Sequence, residues 1–346
     1  YILFYAKGPH DWEVNTTIPS NTRHRQNIYS DEAYYFITVS DNDGKRIQAK
    51  VPLSTNASLQ ITNYDDYTFF EKEELNIAAV GTQWFFNDDF NIENLQSFRI
   101  LFSKALPNND ISVRVRGVST STTSSTMAIN VNGQKIYDIN FSGTNPTGDK
   151  TNPPKAESNE NKSSLNNDNN IVTVDITYNN NGNPSASAYL DFIEIVGKKQ
   201  LIADGSQFSF RSFDQANTSG TVEFQIENNT NIFQVWDVTN PIAPQNIANE
   251  DAGNNFSFKD NAGALKEYIV LSQSDFYTPK SIPNGKVANQ NLHSLQDINY
   301  LIITDKELSS EAQRLADYHQ ENSNLSTKVV VLNEIYNEFS SGSKDI

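Results

Sequence analysis

The sequence predicts a mainly β protein: tandem β-sandwiches of jelly-roll or immunoglobulin-like type, followed by the first βαβ unit of an α/β domain. Three observations predict it. Between about residues 58 and 275, short segments alternate apolar and polar side chains, the period-two pattern of strands with one buried face. The chain carries 20 Phe, 15 Tyr and 3 Trp, a large supply of rings that favour strands. Tyr300–Thr304 (YLIIT) and residues 329–332 (VVVL) are unbroken apolar runs separated by a helical pattern, as expected of parallel strands buried on both faces.

The elements follow in order. Residues 1–57 read as a β-rich segment, with strands at 1–6 (YILFYA) and 33–39 (AYYFITV) and a tight hairpin at Asp43-Gly44. Asp41, Asp43 and Gly44 resemble the start of a calcium loop, but its twelfth position is Pro52 where the pattern needs Glu, so the hairpin is the better reading. Residues 58–200 form the first sandwich, with strands at 98–102, 111–118, 127–131, 171–178 and 189–196, and a two-residue hairpin at Asn132-Gly133. The run 143–170 is rich in Asn, Ser, Lys and Glu with almost no apolar residue, and is expected to be a mobile loop. Residues 201–280 make a small immunoglobulin-like sandwich with strands at 208–210, 221–226, 232–238, 256–258 and 268–271. A linker at 281–299 leads into the α/β unit at 300–346. There Leu308, Ala312, Leu315, Ala316 and His319 recur at helical spacing, and a last helix surrounds Ile335 and Phe339. The two strands should pair in parallel and leave an apolar face open. So small a sheet cannot bury itself, which makes the chain read as the front of a longer protein.

Composition removes several functions. A net charge of −16 argues against nucleic acid and against docking on anionic lipid through a basic patch. With no cysteine there is no disulfide, thiolate metal site or cysteine nucleophile in these residues. No apolar run approaches the ~20 residues of a membrane-spanning helix.

Each candidate site has a bland reading that outweighs the chemical one. His10, His24, His293 and His319 lack a second His at a metal-ligand interval, so they read as structural or surface residues. Asp65-Asp66 and Asp88-Asp89 have the residue types of a glycosidase acid pair, but adjacent acids in loop-like sequence read as solvated or ion-binding groups. Trp84-Phe85-Phe86 has the rings of a sugar platform, and packing is the stronger use. In residues 236–241 (WDVTNP), Asp237 and Thr239 are placed to bond backbone amides ahead of Pro241. In 289–293 (NQNLH), three side-chain amides can satisfy backbone groups at a junction. No catalytic, cofactor-binding or metal-binding residue is assigned.

Taken in order, WDVTNP (236–241), NQNLH (289–293), YLIIT (300–304), AQRLADYH (312–319) and VVVLNEIYNEFSSG (329–342) resemble the gingipain-type cysteine peptidase family. FYAKGPHDW (4–12) and YSDEAYYFIT (29–38) resemble its branch of cell-surface sortases of the type IX secretion system of Bacteroidetes. The middle is similar only in pattern, around GTQWFFNDDF (81–90) and INVNG (129–133). The resemblance implies a caspase-like α/β domain whose His and Cys dyad lies beyond the first βαβ unit. The matching residues, His319 included, are therefore scaffold, and this stretch alone is inert. It further implies removal of the C-terminal sorting domain from secreted cargo and attachment of that cargo to surface lipopolysaccharide. The implied partners are an outer-membrane shuttle barrel (PorV-like) and the cargo's C-terminal domains, at the cell surface on the outer membrane, with no cofactor. The rival reading is a non-enzymatic surface module that binds carbohydrate or a protein partner through the same sandwiches.

Overall fold

The computed structural model describes residues 2–144, 155–282 and 285–344. The chain divides into two units, one made of Tyr1–Asp11, Gln26–Lys45 and Tyr277–Ile346, the other of Trp12–Arg25 and Arg46–Phe276.

The second unit holds two sandwiches. In the first, one sheet runs Glu157–Asn166, Asp110–Ser119, Ala188–Gln200, Asn63–Glu71, and the facing sheet runs Leu95–Leu101, Ile171–Asn179, Ser125–Val131, Gln134–Phe141, all antiparallel. Alternation sends every second side chain inward: Phe98 and Ile100 from one edge strand meet Met127, Ile129, Ile176, Ile193 and Ile195 in a single core. Ala188–Gln200 departs from simple alternation and is buried on both faces, so its outer residues lie under further chain. The predicted Asn132-Gly133 hairpin forms, with φ of 50° and 82°. Both values are positive, as a two-residue turn matching the strand twist requires. Space around Gly133 is open, so only backbone strain opposes a side chain there. Gly133→Ala should cost about 1–2 kcal/mol in urea unfolding; an unchanged midpoint would show that the turn does not hold this conformation.

Two expectations fail here. The run 143–170 is not a loop throughout: Glu157–Asn166 is an edge strand, in register from Glu157↔Ser119 to Asn166↔Asp110. Residues 145–154 of that expected loop lie outside the described residues. A polar sequence forms a strand here because an edge needs only one ladder, and its side chains find polar partners. The Asn159 and Asn161 amides donate to the carbonyls of Asn140 (2.8 Å) and Asp138 (3.1 Å) on the facing sheet, and Leu165 alone enters the core. The second failure is at the front. The segments 1–6 and 33–39 form no strand among the described residues, and no paired strands flank Asp43-Gly44. Strand propensity is a tendency to fit a pleated, half-buried surface. These segments instead meet through side chains, with the Tyr35 hydroxyl donating to the Lys7 carbonyl (2.5 Å) and Phe4 against Tyr35.

The second sandwich draws on more chain than the run from 201. Its five-stranded sheet runs Phe208–Phe210, Tyr268–Leu271, Gln234–Asp237, Gln245–Ile247, Gln48–Ala49; its three-stranded sheet runs Phe256–Asn261, Thr221–Ile226, Leu59–Ile61. Gln48–Ala49 and Leu59–Ile61 pair in parallel at the edges, too short to show a period. Phe210, Phe224, Phe258 and Tyr268 form an aromatic core separate from that of the first sandwich.

In the other unit, Tyr300–Thr304 and Thr327–Val331 pair in parallel around the helix Ser309–Ser323, with Leu332–Phe339 following, as predicted. Ala312, Ala316 and Val330 are buried, whereas Leu301 and Ile303, alternate residues on one strand, are 51% and 55% exposed.

Candidate functional site

The predicted site residues turn out to be joints. Asp65 and Asp66 lie on Asn63–Glu71 where the two sandwiches meet. The Asp65 carboxylate accepts from the Phe213 amide (2.7 Å) and pairs with Lys198, while Asp66 pairs with Lys199 (2.8 Å) and with Arg211 (3.1 Å). Arg211 is buried, and its Nε faces both oxygens of Glu267 at 2.8 Å. One terminal nitrogen donates to the Asp65 carbonyl (3.2 Å), and the guanidinium lies 4.4 Å from the Tyr67 ring centre. Asp89 is a loop brace, accepting from the amides of Asn91 (2.8 Å) and Ala188 (3.2 Å). Of the aromatic triplet, Phe85 is buried, Phe86 packs on Phe70 and Phe98, and Trp84 stays partly exposed.

The WDVTNP reading holds, and of the three amides in NQNLH, Gln290 reaches a backbone group. Asp237 accepts from the Thr239 amide (3.0 Å), and the Thr239 hydroxyl accepts from the Glu267 amide (3.0 Å). Gln290 donates to the Glu334 carbonyl (2.6 Å) and to Glu338 (2.9 Å). Glu338 also accepts from the amides of Leu292 and His293, both at 2.8 Å. These donors outweigh its desolvation and hold its pKa down at about 2.

Among the histidines, His10 accepts from the Asn27 amide (3.1 Å), His293 pairs with Glu338 (2.6 Å), and His319 packs edge-on to Tyr300. His24 is different. Its imidazole is 5% exposed, stacked 4.4 Å from Phe69 and set edge-on to Phe192 and Trp12. Nδ1 meets Glu194 at 2.6 Å, Nε2 meets Glu71, and the His24 amide donates to Glu194 (2.8 Å). The other Glu194 oxygen accepts from Arg114 (2.6 Å). Burial disfavours the imidazolium, but the two carboxylates outweigh it and raise the pKa to about 9. Beside this pair, burial and then Glu71 raise Glu73 to about 8, and burial raises Asp191 to about 7 against the pull of Arg116. The cluster joins an imidazole, carboxylates and a guanidinium in one buried network, with both ring nitrogens of His24 already engaged. Among the described residues, no group of three or more His, Cys, Asp and Glu side chains is placed to hold a metal ion.

Sequence reasoning missed this cluster. Its signal was present in the charges inside apolar strands, Arg114 and Arg116 in ISVRVRGV and Asp191 and Glu194 in YLDFIEIV. Period-two alternation normally assigns such residues to a wet face. Here the face is covered by residues 12–25, far away in sequence.

Residues 293–346 match the model of peptidase family C25. Over 99% of its length the chain shares its fold with dimeric latent PorU from Porphyromonas gingivalis, at a TM-score of 0.79 and 20% identity, and it spans 32% of that chain. Weaker likenesses are to a carbohydrate-binding module, CBM36 in complex with calcium and xylotriose (TM-score 0.21, 18% identity, 29% of this chain and 71% of that one). Another is CBM35 from Cellvibrio japonicus Abf62 (TM-score 0.26, 12% identity, 39% and 97%). Likeness at that level is too slight to argue from. None of the curated proteins matches the chain.

Proposed function

We propose that the chain is the N-terminal part of a gingipain-type cysteine peptidase acting as a PorU-like sortase at the surface of the bacterial outer membrane. The carrying observation is the parallel βαβ unit at 300–331, inside the stretch that matches peptidase family C25. In support, the sandwiches ahead of it follow the fold of PorU. On this reading the whole protein removes the C-terminal sorting domain of type IX secretion cargo and joins the cargo to lipopolysaccharide, working with a PorV-like shuttle barrel. The nucleophile is not among these residues, since the sequence has no cysteine. Residues 1–346 supply scaffold: the opening of the peptidase sheet and the β modules that precede it. No helix among the described residues is long and apolar enough to cross a membrane.

The test is made on the protein encoded by the whole gene. Cells lacking it should accumulate cargo with the sorting domain uncleaved. The purified protein should cleave that cargo until a thiol alkylator is added, and residues 1–346 alone should cleave nothing. Normal cargo processing in the deletion strain would overturn the reading, as would cleavage by residues 1–346.

A further inference from the structure

The segment Trp12–Arg25 belongs with the sandwiches, although the chain on either side of it, Tyr1–Asp11 and Gln26–Lys45, belongs to the other unit. Its strands Asp11–Glu13 and Arg23–Arg25 pair with each other in a sheet of their own and add to neither sandwich sheet. Side chains seat it instead. Arg114 donates to the carbonyls of Ser20 (2.5 Å) and Thr22 (3.3 Å), and Lys162 also donates to Ser20 (3.0 Å). Arg23 grips Glu160 with both terminal nitrogens, Asn217 donates to the Thr16 carbonyl (2.7 Å), and Trp12 lies 4.2 Å from the Tyr67 ring. At the centre is His24 between Glu71 and Glu194.

We propose that Trp12–Arg25 is a strap seated on the first sandwich by a proton-loaded cluster, and that it lets go as the cluster loses protons in neutral to mildly alkaline solution.

Geometry makes release feasible, since no ladder between strap and sandwich has to break. The charges facing His24 make it proton-linked. From the sandwich come Glu71, Glu194 and buried Asp191 with half-exposed Arg116 (3.2 Å), with Glu73 against Glu71 and Glu160 held by Arg23. Arg114 supplies a fixed positive charge, Lys162 one whose pKa burial lowers, and Arg25 is occupied by Glu13 (2.5 Å) at the exposed rim. Neutralising His24 would leave Glu71 and Glu194 facing a neutral ring, with Arg114 as the nearest counter-charge. One Glu73 oxygen is buried without a hydrogen-bond partner, which suits a protonated carboxyl better than a carboxylate.

The signs agree. His24 has its folded pKa raised to about 9, so its contribution is complete below its unfolded value of 6.5 and is lost as pH rises through 9. Glu73 and Asp191 are raised to about 8 and about 7, so they too hold protons in the seated state that an open strap would release. Each extra proton held by the seated state weakens seating by about tenfold per pH unit. With His24 alone counted, seating should fall about fortyfold between pH 7 and 9, since the ring is already half deprotonated at the upper end.

The absence of cysteine provides a clean probe. In the 346-residue chain, Thr22→Cys puts a thiol at a fully buried strap position, and Ala188→Cys puts one in the sandwich core. Labelling rates, divided by that of a free thiol peptide at the same pH, give each site's protection. Protection at position 22 should fall by about fortyfold or more from pH 7 to 9 while position 188 stays protected. Added to Thr22→Cys, Glu73→Gln should flatten the fall and His24→Gln should abolish protection already at pH 7. A flat profile at position 22, or loss at both positions together, overturns the proposal.

Discussion

Arg211→Ala should destabilise the double-sandwich unit by about 2–3 kcal/mol, because it removes a buried guanidinium that bonds half-buried Asp66 and Glu267. This one guanidinium joins the Asp66 and Glu267 carboxylates and the Asp65 carbonyl, and Asp66 would retain only Lys199. Arg211→Lys should recover less than half of the loss. An ammonium is a point charge: it cannot face Glu267, reach Asp66 and lie against the Tyr67 ring at once. Urea unfolding followed by circular dichroism measures both variants. A loss below about 1 kcal/mol for the alanine variant would mean that solvent compensates the two acids and that the joint is looser than its distances imply.

The other large effect lies in the aromatic core. Phe224 is fully buried, stacked on Phe258 at 5.0 Å with Tyr268 at 5.2 Å and Phe210 at 5.6 Å. Phe224→Ala should cost about 3–5 kcal/mol, the transfer of a ring plus the cavity left among three rigid neighbours. The two sandwiches have separate cores, so the loss should be local first. Hydrogen exchange should quicken in Thr221–Ile226 and Phe256–Asn261 well before it does in Ser125–Val131. Uniform quickening would show that the sandwiches unfold as one cooperative block.

What the sequence disclosed follows the range of the forces involved. Period-two alternation located the long sandwich strands, and Asn132-Gly133 announced its turn, because both signals are local. The parallel pair was legible from unbroken apolar runs flanking a helical spacing. Glu157–Asn166 was not, since its stability comes from one ladder and from amides reaching Asp138 and Asn140 rather than from apolar burial. The segment 33–39 failed in the opposite sense: its rings and branched side chains favour a strand, but no neighbouring strand pairs with it. The His24 cluster was hidden for a third reason. Its partners lie 47 and 170 residues away, and no periodicity in one strand can say which distant segment covers its outer face.

The interleaving of the two units fixes an order of events during synthesis. Arg46–Phe276 supplies both sandwiches and can close while the chain is still growing, whereas the unit that holds Gln26–Lys45 is incomplete until Tyr277–Ile346 has been made. At ribosomal speed the delay is roughly 15–60 s. Throughout it the newborn stretch around Phe36, Ile37 and Val39, exposed even in the finished fold, is a sticky, strand-prone tail with nowhere to dock. A holding chaperone that favours aromatic, uncharged peptides would find its natural target there until residues 277–346 have been made.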